Sequence, residues 1–418
     1  MESRVKENKM IKSLIVFLCI LCTRINAATY FVSKNDINAS DLNNGSINSP
    51  WKTLGKAQKI ASPGDTVFVR SGTYNEMLKP VKSGTPEAKI AYKAYNGEPV
   101  TLDGQNSKST GISFSTPASY IVIEGFEVKN FTSTGVYFQD WGVQSVKGIE
   151  ISKCKIRDNG GDAISCRNSI DSLIENNEIS NNGSTAVSIG GKLGSTNLVV
   201  RGNNIFHNGK DGVQGGGNGV IIEKNTIYDQ FHTNQHQDGL DLSNISNVTI
   251  RYNTIYDTTQ EVYIHNQEGP CSNIKVYGNI FYTNRYATVK GGQSPGVFVD
   301  SRFAGPGING VEISSNTFGW TGYTGVRIFG VVDRIIIMNN IFFESGIALG
   351  TTGITNVTSN WNLFYRSVLP SMEGQNSIQG DPQFVNYSRH ESWNFNLLPN
   401  SPAIIKDIGA LDYCNKRD

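Results

Sequence analysis

The stretches VIIEKNTI (220–227), VTIRYNTI (248–255) and IKVYGNIF (274–281) repeat one pattern three times. In each, apolar and polar residues alternate up to an Asn, and another apolar residue follows. Alternation with a period of two describes a strand buried on one face. The Asn then turns the chain, because its short amide tolerates left-handed backbone and bonds locally. The pattern occurs earlier as LIENNEI (173–179) and LVVRGNNI (198–205), and later as VEISSNTF (311–318), IIIMNNIF (335–342) and TSNWNLF (358–364). VIEGFEV (122–128) and IEISKCKI (149–156) fit without the Asn. Most starts lie 22 to 28 residues apart, the period of a solenoid coil. The longer gap from 274 to 311 calls for an inserted loop. A leucine-rich repeat would need a Leu framework, and a propeller four strands per longer period; neither is present. The expectation is an all-β chain, a single-stranded right-handed parallel β-helix of about 10–12 coils. Stacking would bring Asn177, Asn203, Asn225, Asn253, Asn279, Asn316, Asn340 and Asn362 into one internal ladder, each amide bonding the next.

A length of 418 residues would ordinarily suggest two or three domains, but repeat units touch only their neighbours and can form one array. The segment 49–61, SPWKTLGKAQKIA, is amphipathic, with Trp51, Leu54, Ala57 and Ile60 on one side. It is expected as an N-terminal capping helix over the first coil, which DTVFVRSGTY (65–74) opens. Residues 11–22, IKSLIVFLCILC, are an apolar run with Lys9 and Lys12 as a positive flank and a small-residue cut at Asn26-Ala27. That describes a secretory signal peptide over 1–27, too short for a spanning helix. The β-helix domain is then 28–418, with 381–418 its last coil and tail, and the expected localisation is secreted, extracellular or periplasmic. Cys154, Cys166, Cys271 and Cys414 match no zinc spacing, and the first two fall on inward positions as small buried hydrophobes. A formal net charge of +1 offers no global field for nucleic acid or an anionic membrane. No membrane span is expected, and the chain is expected to be a monomer.

A second register aligns the strands that close each coil: TGISFS (110), TGVYFQ (134), DAISCR (162), TAVSIG (185), DGVQGG (211), DGLDLS (238), QEVYIH (260), PGVFVD (295) and TGVRIF (324). The inward set is apolar: Val136, Ile164, Val187, Val213, Leu240, Val262, Val297 and Val326. The outward columns change character across the middle coils. One holds Asp162, Asp211 and Asp238. The next holds Gln214, Asp241, Tyr263, Phe298 and Arg327, and the third Arg167, Ser243, His265 and Asp300. Rungs about 4.8 Å apart make these a single patch, where like charges need a cation, a proton or an opposite charge between them. Two insertions are expected to overhang it. DQFHTNQHQ (229–237) brings His232 and His236, and TNRYATVKGGQS (283–294) brings Arg285, Tyr286 and Lys290. Three of the five His lie between 232 and 265. Arg302 and Arg327 fall on the same groove, and Tyr137, Tyr263, Tyr286 and Trp141 are candidates to stack on sugar rings.

The opening from Tyr30 through GDTVFVRSGTYNE (64–76), with AYNGEPVTLDG (94–104), resembles that of secreted β-helix carbohydrate-active proteins. These are polysaccharide lyases of the alginate-lyase, chondroitinase-B and pectate-lyase kind. NLLPNSPAI (396–404) is similar to their last coil. The resemblance implies an acidic polysaccharide substrate and cleavage by β-elimination. His236, Asp238, Tyr263, His265 and Lys290 are then the catalytic candidates, the base being Lys290, His236 or His265 and the proton donor Tyr263. Ca²⁺ on Asp211, Asp238 and Asp241 would neutralise the substrate carboxylate. His232, Asp241, Gln214, Arg167, Arg285, Arg302 and Arg327 would hold the sugar. The Glu-x-Ile-Ser-x-Lys-Ser phrase of the alginate-lyase kind is absent, and QEVYIHN (260–266) carries no Lys. HQDGLDLS (236–243) is also similar to the Asn-Thr-Asp-Gly-(Ile/Phe)-Asp phrase of polygalacturonases, which implies a glycoside hydrolase with Asp238 as acid. That family's next Asp-Asp pair falls here on Thr259 and Gln260. A non-catalytic glycan-binding protein, or an epimerase sharing the lyase half-reaction, is the third reading.

Overall fold

The computed structural model describes residues 27–114, 118–138, 146–190, 194–230, 237–267, 269–283, 295–321, 324–350, 352–367, 374, 376–386 and 394–410. Over these the chain winds as a parallel β-solenoid with three walls. The alternating strands of the repeat pair coil to coil as the first wall. Their inward residues align in one column, Ile123–Ile151–Ile174–Val200–Ile222–Ile250–Val276–Ile313–Ile337. The second wall is a thirteen-stranded sheet of short strands, among them Glu178–Ser180, Thr254–Tyr256 and Ile280–Tyr282. The third wall carries the second register. Its column Val136–Ile164–Val187–Val213–Leu240–Val262–Val297–Val326 is wholly buried. The strand Leu240–Arg251 runs from the third wall into the next coil's first wall without a break.

The corner between first and second walls is a single left-handed residue followed by the ladder Asn. Lys224, Tyr252 and Gly278 have φ of 55°, 57° and 66°. The ladder forms throughout the predicted set. Asn203 donates through both its backbone N and Nδ2 to Asn225 Oδ1 at 2.9 Å, and its Nδ2 also reaches the carbonyl of Ile174. The same geometry repeats from Asn177 to Asn362. The buried amides of this ladder are thereby satisfied. A second ladder, not anticipated from the sequence, turns the corner into the third wall: Asn159, Asn182, Asn208 and Gln230. It fixes the chain directly before the strands of interest here.

The ends differ from expectation. The capping helix is Leu54–Ile60, shorter than 49–61, with Thr53 Oγ1 accepting from Lys56 N. Trp51 stays extended because its backbone N donates to Phe31 O while its own carbonyl accepts from Ser33 N. Leu54 and Ala57 close the core, but Ile60 lies at the surface. The stretch 381–418, expected as a last coil and tail, leaves the parallel stack over its described part. Phe384–Asn386 pairs antiparallel with Asn394–Leu397, and a short helix Pro402–Lys406 follows. The reason is an apolar outer face on the second wall: Phe384 and Phe395 pack with Tyr282 and Phe343 there and cover them. Cys154, Cys166 and Cys271 are buried free thiols, and burial pushes Cys154 up to about 11. Cys414 and the predicted signal peptide lie outside the described residues. Among those that are described, no helix is long and apolar enough to cross a membrane.

Candidate active site on the third wall

The predicted columns stand side by side. Gln214, Asp241, Tyr263, Phe298 and Arg327 occupy one register across five successive rungs, and Ser243, His265 and Asp300 the next. Gln214, Asp241, Tyr263, Ser243 and His265 among them border a cleft of about 580 Å³. Arg167, Gln214, Asp238, Asp241, Tyr263 and His265 line it, together with Lys210, Ser243 and Gln267. Arg302 and Arg327 lie on the same wall beyond this lining. His232, His236, Arg285 and Lys290, with Trp141 and Tyr286, lie outside the described residues.

Asp238 and Asp241 of the cleft lining and the buried Asp211 each offer an oxygen within 4.8 Å of the others. Asp211 is fully buried and Asp238 nearly so. Asp238 N donates to Asp211 Oδ1 at 3.0 Å, so the two corners are locked rung to rung. Burial first, then the charges of Asp238 and Asp241, push the Asp211 carboxyl up to about 8. Lys210 Nζ stands 3.6 Å from Asp211 Oδ2.

Asp241 behaves differently. Burial works to raise its pKa, yet His265 Nε2 at 2.8 Å and Gln214 Nε2 at 2.9 Å hold the carboxyl below its usual range. His265 is engaged at both nitrogens, since Nδ1 accepts from Gln267 N at 3.4 Å. This makes Nε2 the protonated nitrogen, and the ring orients Asp241 as an outer partner orients a ligand. Tyr263 stacks on His265 with centroids 4.7 Å apart, and its hydroxyl donates to Asp300 Oδ2 at 3.4 Å. Burial and the neighbouring Asp300 raise its pKa, so the phenol stays protonated at neutral pH.

Glycine permits this packing of carboxylates. A Cβ at Gly239, between Asp238 and Leu240, would stand 2.4 Å from Ile255 Cγ2 and 2.5 Å from Glu261 O. Gly239→Ala is expected to lower stability by about 1–3 kcal/mol and to reduce activity by displacing Asp238 and, two residues on, Asp241. Thermal unfolding alongside initial rates checks both effects.

Lys210, Gln267 and Ser188, with Gly190 and Gly215, are the cleft residues that sequence reasoning missed. Lys210 sits in a turn, where cations are ordinarily solvated, and its place beside Asp211 was the one signal available.

Residues 30–188 match a family model described as a Pel9A-like, right-handed beta helix region, and residues 142–302 one described as a right-handed beta helix region. The chain is 34% identical over 101 residues to pectate lyase PEL9 of Emericella nidulans, a match covering 24% of each protein. It is 32% identical over 114 residues to the uncharacterised protein YwoF of Bacillus subtilis, covering 27% of this chain and 23% of that one. The matched stretches thus span about a quarter of the length of these relatives. The solved structure of pectate lyase Pel9A shares the fold, with a TM-score of 0.52 and 18% identity over 91% of both chains.

Proposed function

Because the chain is a right-handed parallel β-helix carrying a Pel9A-like region, we propose that it is a secreted polysaccharide lyase cleaving a uronic-acid-containing polymer by β-elimination. In that reaction a base takes the proton at C5. The C–H electron pair forms the double bond to C4, the C4–O bond breaks, and the departing oxygen receives a proton. The observation that carries this reading is the buried carboxylate triad. Three carboxylates with oxygens within 4.8 Å of one another, two of them lining a cleft and the third pushed up to about 8, need a proton or a cation among them. An all-oxygen donor set of this kind fits a hard divalent ion such as Ca²⁺. Asp211, Asp238 and Asp241 would hold it, and when bound there it would supply positive charge to a substrate carboxylate, which acidifies the neighbouring C–H.

The remaining roles belong to the chain's own groups. Gln214 and His265 hold Asp241 in place. Lys210 and Arg167 draw an acidic substrate into the cleft. Tyr263, protonated and lining the cleft, would give a proton to the leaving oxygen once its hydroxyl turns from Asp300. His265 already donates to Asp241, so it positions rather than abstracts. The base is then assigned to Lys290 or His236, on the two inserted segments. The spacing of the triad favours elimination over inverting hydrolysis, which keeps its carboxyl groups about 6.5–9.5 Å apart to admit a water.

Incubation with pectate, alginate and glycosaminoglycans tests this. The expected result is new ultraviolet absorbance from the unsaturated product on at least one polymer, lost in EDTA. New reducing ends without that absorbance would replace the lyase by a hydrolase.

The triad also sets a pH dependence. A carboxyl whose folded-state pKa is raised contributes stability that is full below its unfolded value and lost as pH rises through the folded one. For Asp211 that window runs from 3.8 to about 8. Ca²⁺ must displace this proton, so the Tm gain from added Ca²⁺ should grow across the window and level off above it. A gain independent of pH would contradict cation binding at Asp211.

A further inference from the structure

We propose that Arg302 and Arg327 form a distal carboxylate-binding subsite, so that the acidic polysaccharide lies along the solenoid axis, crossing successive rungs of the third wall. This rests on the acidic-polysaccharide reading of the cleft and specifies how the polymer is held.

Register gives the first argument. Arg327 shares its column with Asp241, separated by Tyr263 and Phe298. Three rung spacings place it roughly 14 Å along the axis from the triad. A polymer running parallel to the strands would meet one rung and never reach it. A polymer crossing the rungs meets the column in order, with sugars repeating on a scale comparable to the rungs.

The second argument is the chemistry of the cluster. Both guanidinium groups lie over the same two rings. Arg302 is 4.9 Å from the Phe329 centroid and 5.9 Å from that of Phe298, and Arg327 is 4.7 and 5.2 Å from them. Asp300, 2% exposed, accepts from Arg302 Nε and Nη2 at 2.8 and 2.7 Å. Two cations are gathered around one carboxylate, and the charge of Arg302, after burial, lowers the Arg327 pKa. An incoming carboxylate relieves that repulsion and suits the planar fork of Arg, whose stacking on the rings already fixes its orientation. The Arg302 side chain is 58% exposed, so the anion can reach it.

Continuity is the third argument. Tyr263 lines the cleft and its hydroxyl bonds Asp300, so subsite and cleft share a residue. At the other end of the cleft Arg167 and Lys210 supply positive charge again. Along the axis the wall presents cations, then the triad, then cations, a pattern that suits a chain bearing a carboxylate on every sugar.

The test uses the full chain and oligogalacturonates and oligomannuronates of increasing length. Binding is followed by calorimetry in EDTA, so that it is read without turnover, and again with Ca²⁺. Wild-type affinity is expected to step up once the oligomer is long enough to reach from the triad to Arg327. Carboxyl-reduced oligomers should show no step. Arg327→Gln and Arg302→Gln should lose that step, about tenfold or more on the longest oligomers. Arg327→Lys, which keeps the charge without the fork, should recover part of it. Melting curves matching the wild type show that the variants fold. Long-oligomer affinity unchanged in both Gln variants would overturn the subsite while leaving the lyase reading intact. Failure of any acidic oligomer to bind the wild type, with or without Ca²⁺, would overturn the acidic-polysaccharide reading, and the subsite with it.

Discussion

Asp238→Asn is expected to reduce turnover on the acidic polymer by about 10³-fold while raising the Tm of the cation-free protein. Both effects have one cause. Asp238 N donates to Asp211 Oδ1, and the Asp238 carboxylate is, after burial, the largest influence raising the Asp211 pKa. The cation-free triad thus stores repulsion among groups within 4.8 Å of one another. An amide of the same shape removes a charge and can donate to Asp211, so the empty site relaxes. The same change takes a charged ligand from the proposed cation site and weakens its hold on the substrate carboxylate. Initial rates by ultraviolet absorbance, with melting curves in EDTA and in Ca²⁺, separate the two readouts. A structural role alone would lower Tm in EDTA and leave the Ca²⁺-dependent shift unchanged. That outcome, or wild-type rates, would remove the triad from the mechanism. Asp241→Asn is expected to lose activity similarly but to gain less stability, because His265 and Gln214 already stabilise the Asp241 carboxylate.

The fold was legible because one structural requirement recurs in every coil. Alternation followed by Asn located the first wall, and the aligned Val and Leu residues located the third. Residue-by-residue register, from Gln214 across to Arg327, then followed from stacking. The second ladder escaped notice because Asn159, Asn182 and Asn208 each precede Gly, and Asn-Gly reads simply as a turn. Its amides face inward only because the left-handed residue before each of them, such as Asn181 or His207, swings the chain. The carboxylate triad was visible as Asp211 and Asp238 in one outward column with Asp241 in the next. The role of His265 was not, since the 2.8 Å contact to Asp241 Oδ1 depends on ring orientation and not on register. Repetition constrains the walls, but an insertion interrupts it, which is why His232, His236, Arg285 and Lys290 could be named as candidates without being positioned.

Asn253→Leu should be among the most destabilising single changes in the chain, costing about 4 kcal/mol or more and taking activity with it. Asn253 Oδ1 accepts from both the backbone N and Nδ2 of Asn225 at 3.0 Å, and its Nδ2 reaches Ile222 O at 2.9 Å. Leucine matches the size but takes the side-chain partner from buried Asn225 N and Ile222 O and leaves Asn225 Nδ2 with Val200 O alone, at about 1–3 kcal/mol for each buried group affected. The extra apolar contact cannot offset this, because the surrounding column is already filled by Ile227, Ile250 and Ile255. In a solenoid such a defect is not shared across a single core, since each coil rests on its neighbours. It falls between the coil of Asn225 and the coil leading to Val262–His265, where the strand Leu240–Arg251 ties the two walls together. The Tyr263 and His265 rung would therefore shift against the Asp241 rung, and catalysis should fall even below the unfolding temperature. The urea midpoint should drop steeply. Thr254→Ala, on the half-buried outer face one residue along, should stay within about 0.5 kcal/mol of wild type. Equal midpoints for the two variants would mean that the amide ladder is not what holds the rungs, and with them the site, in register.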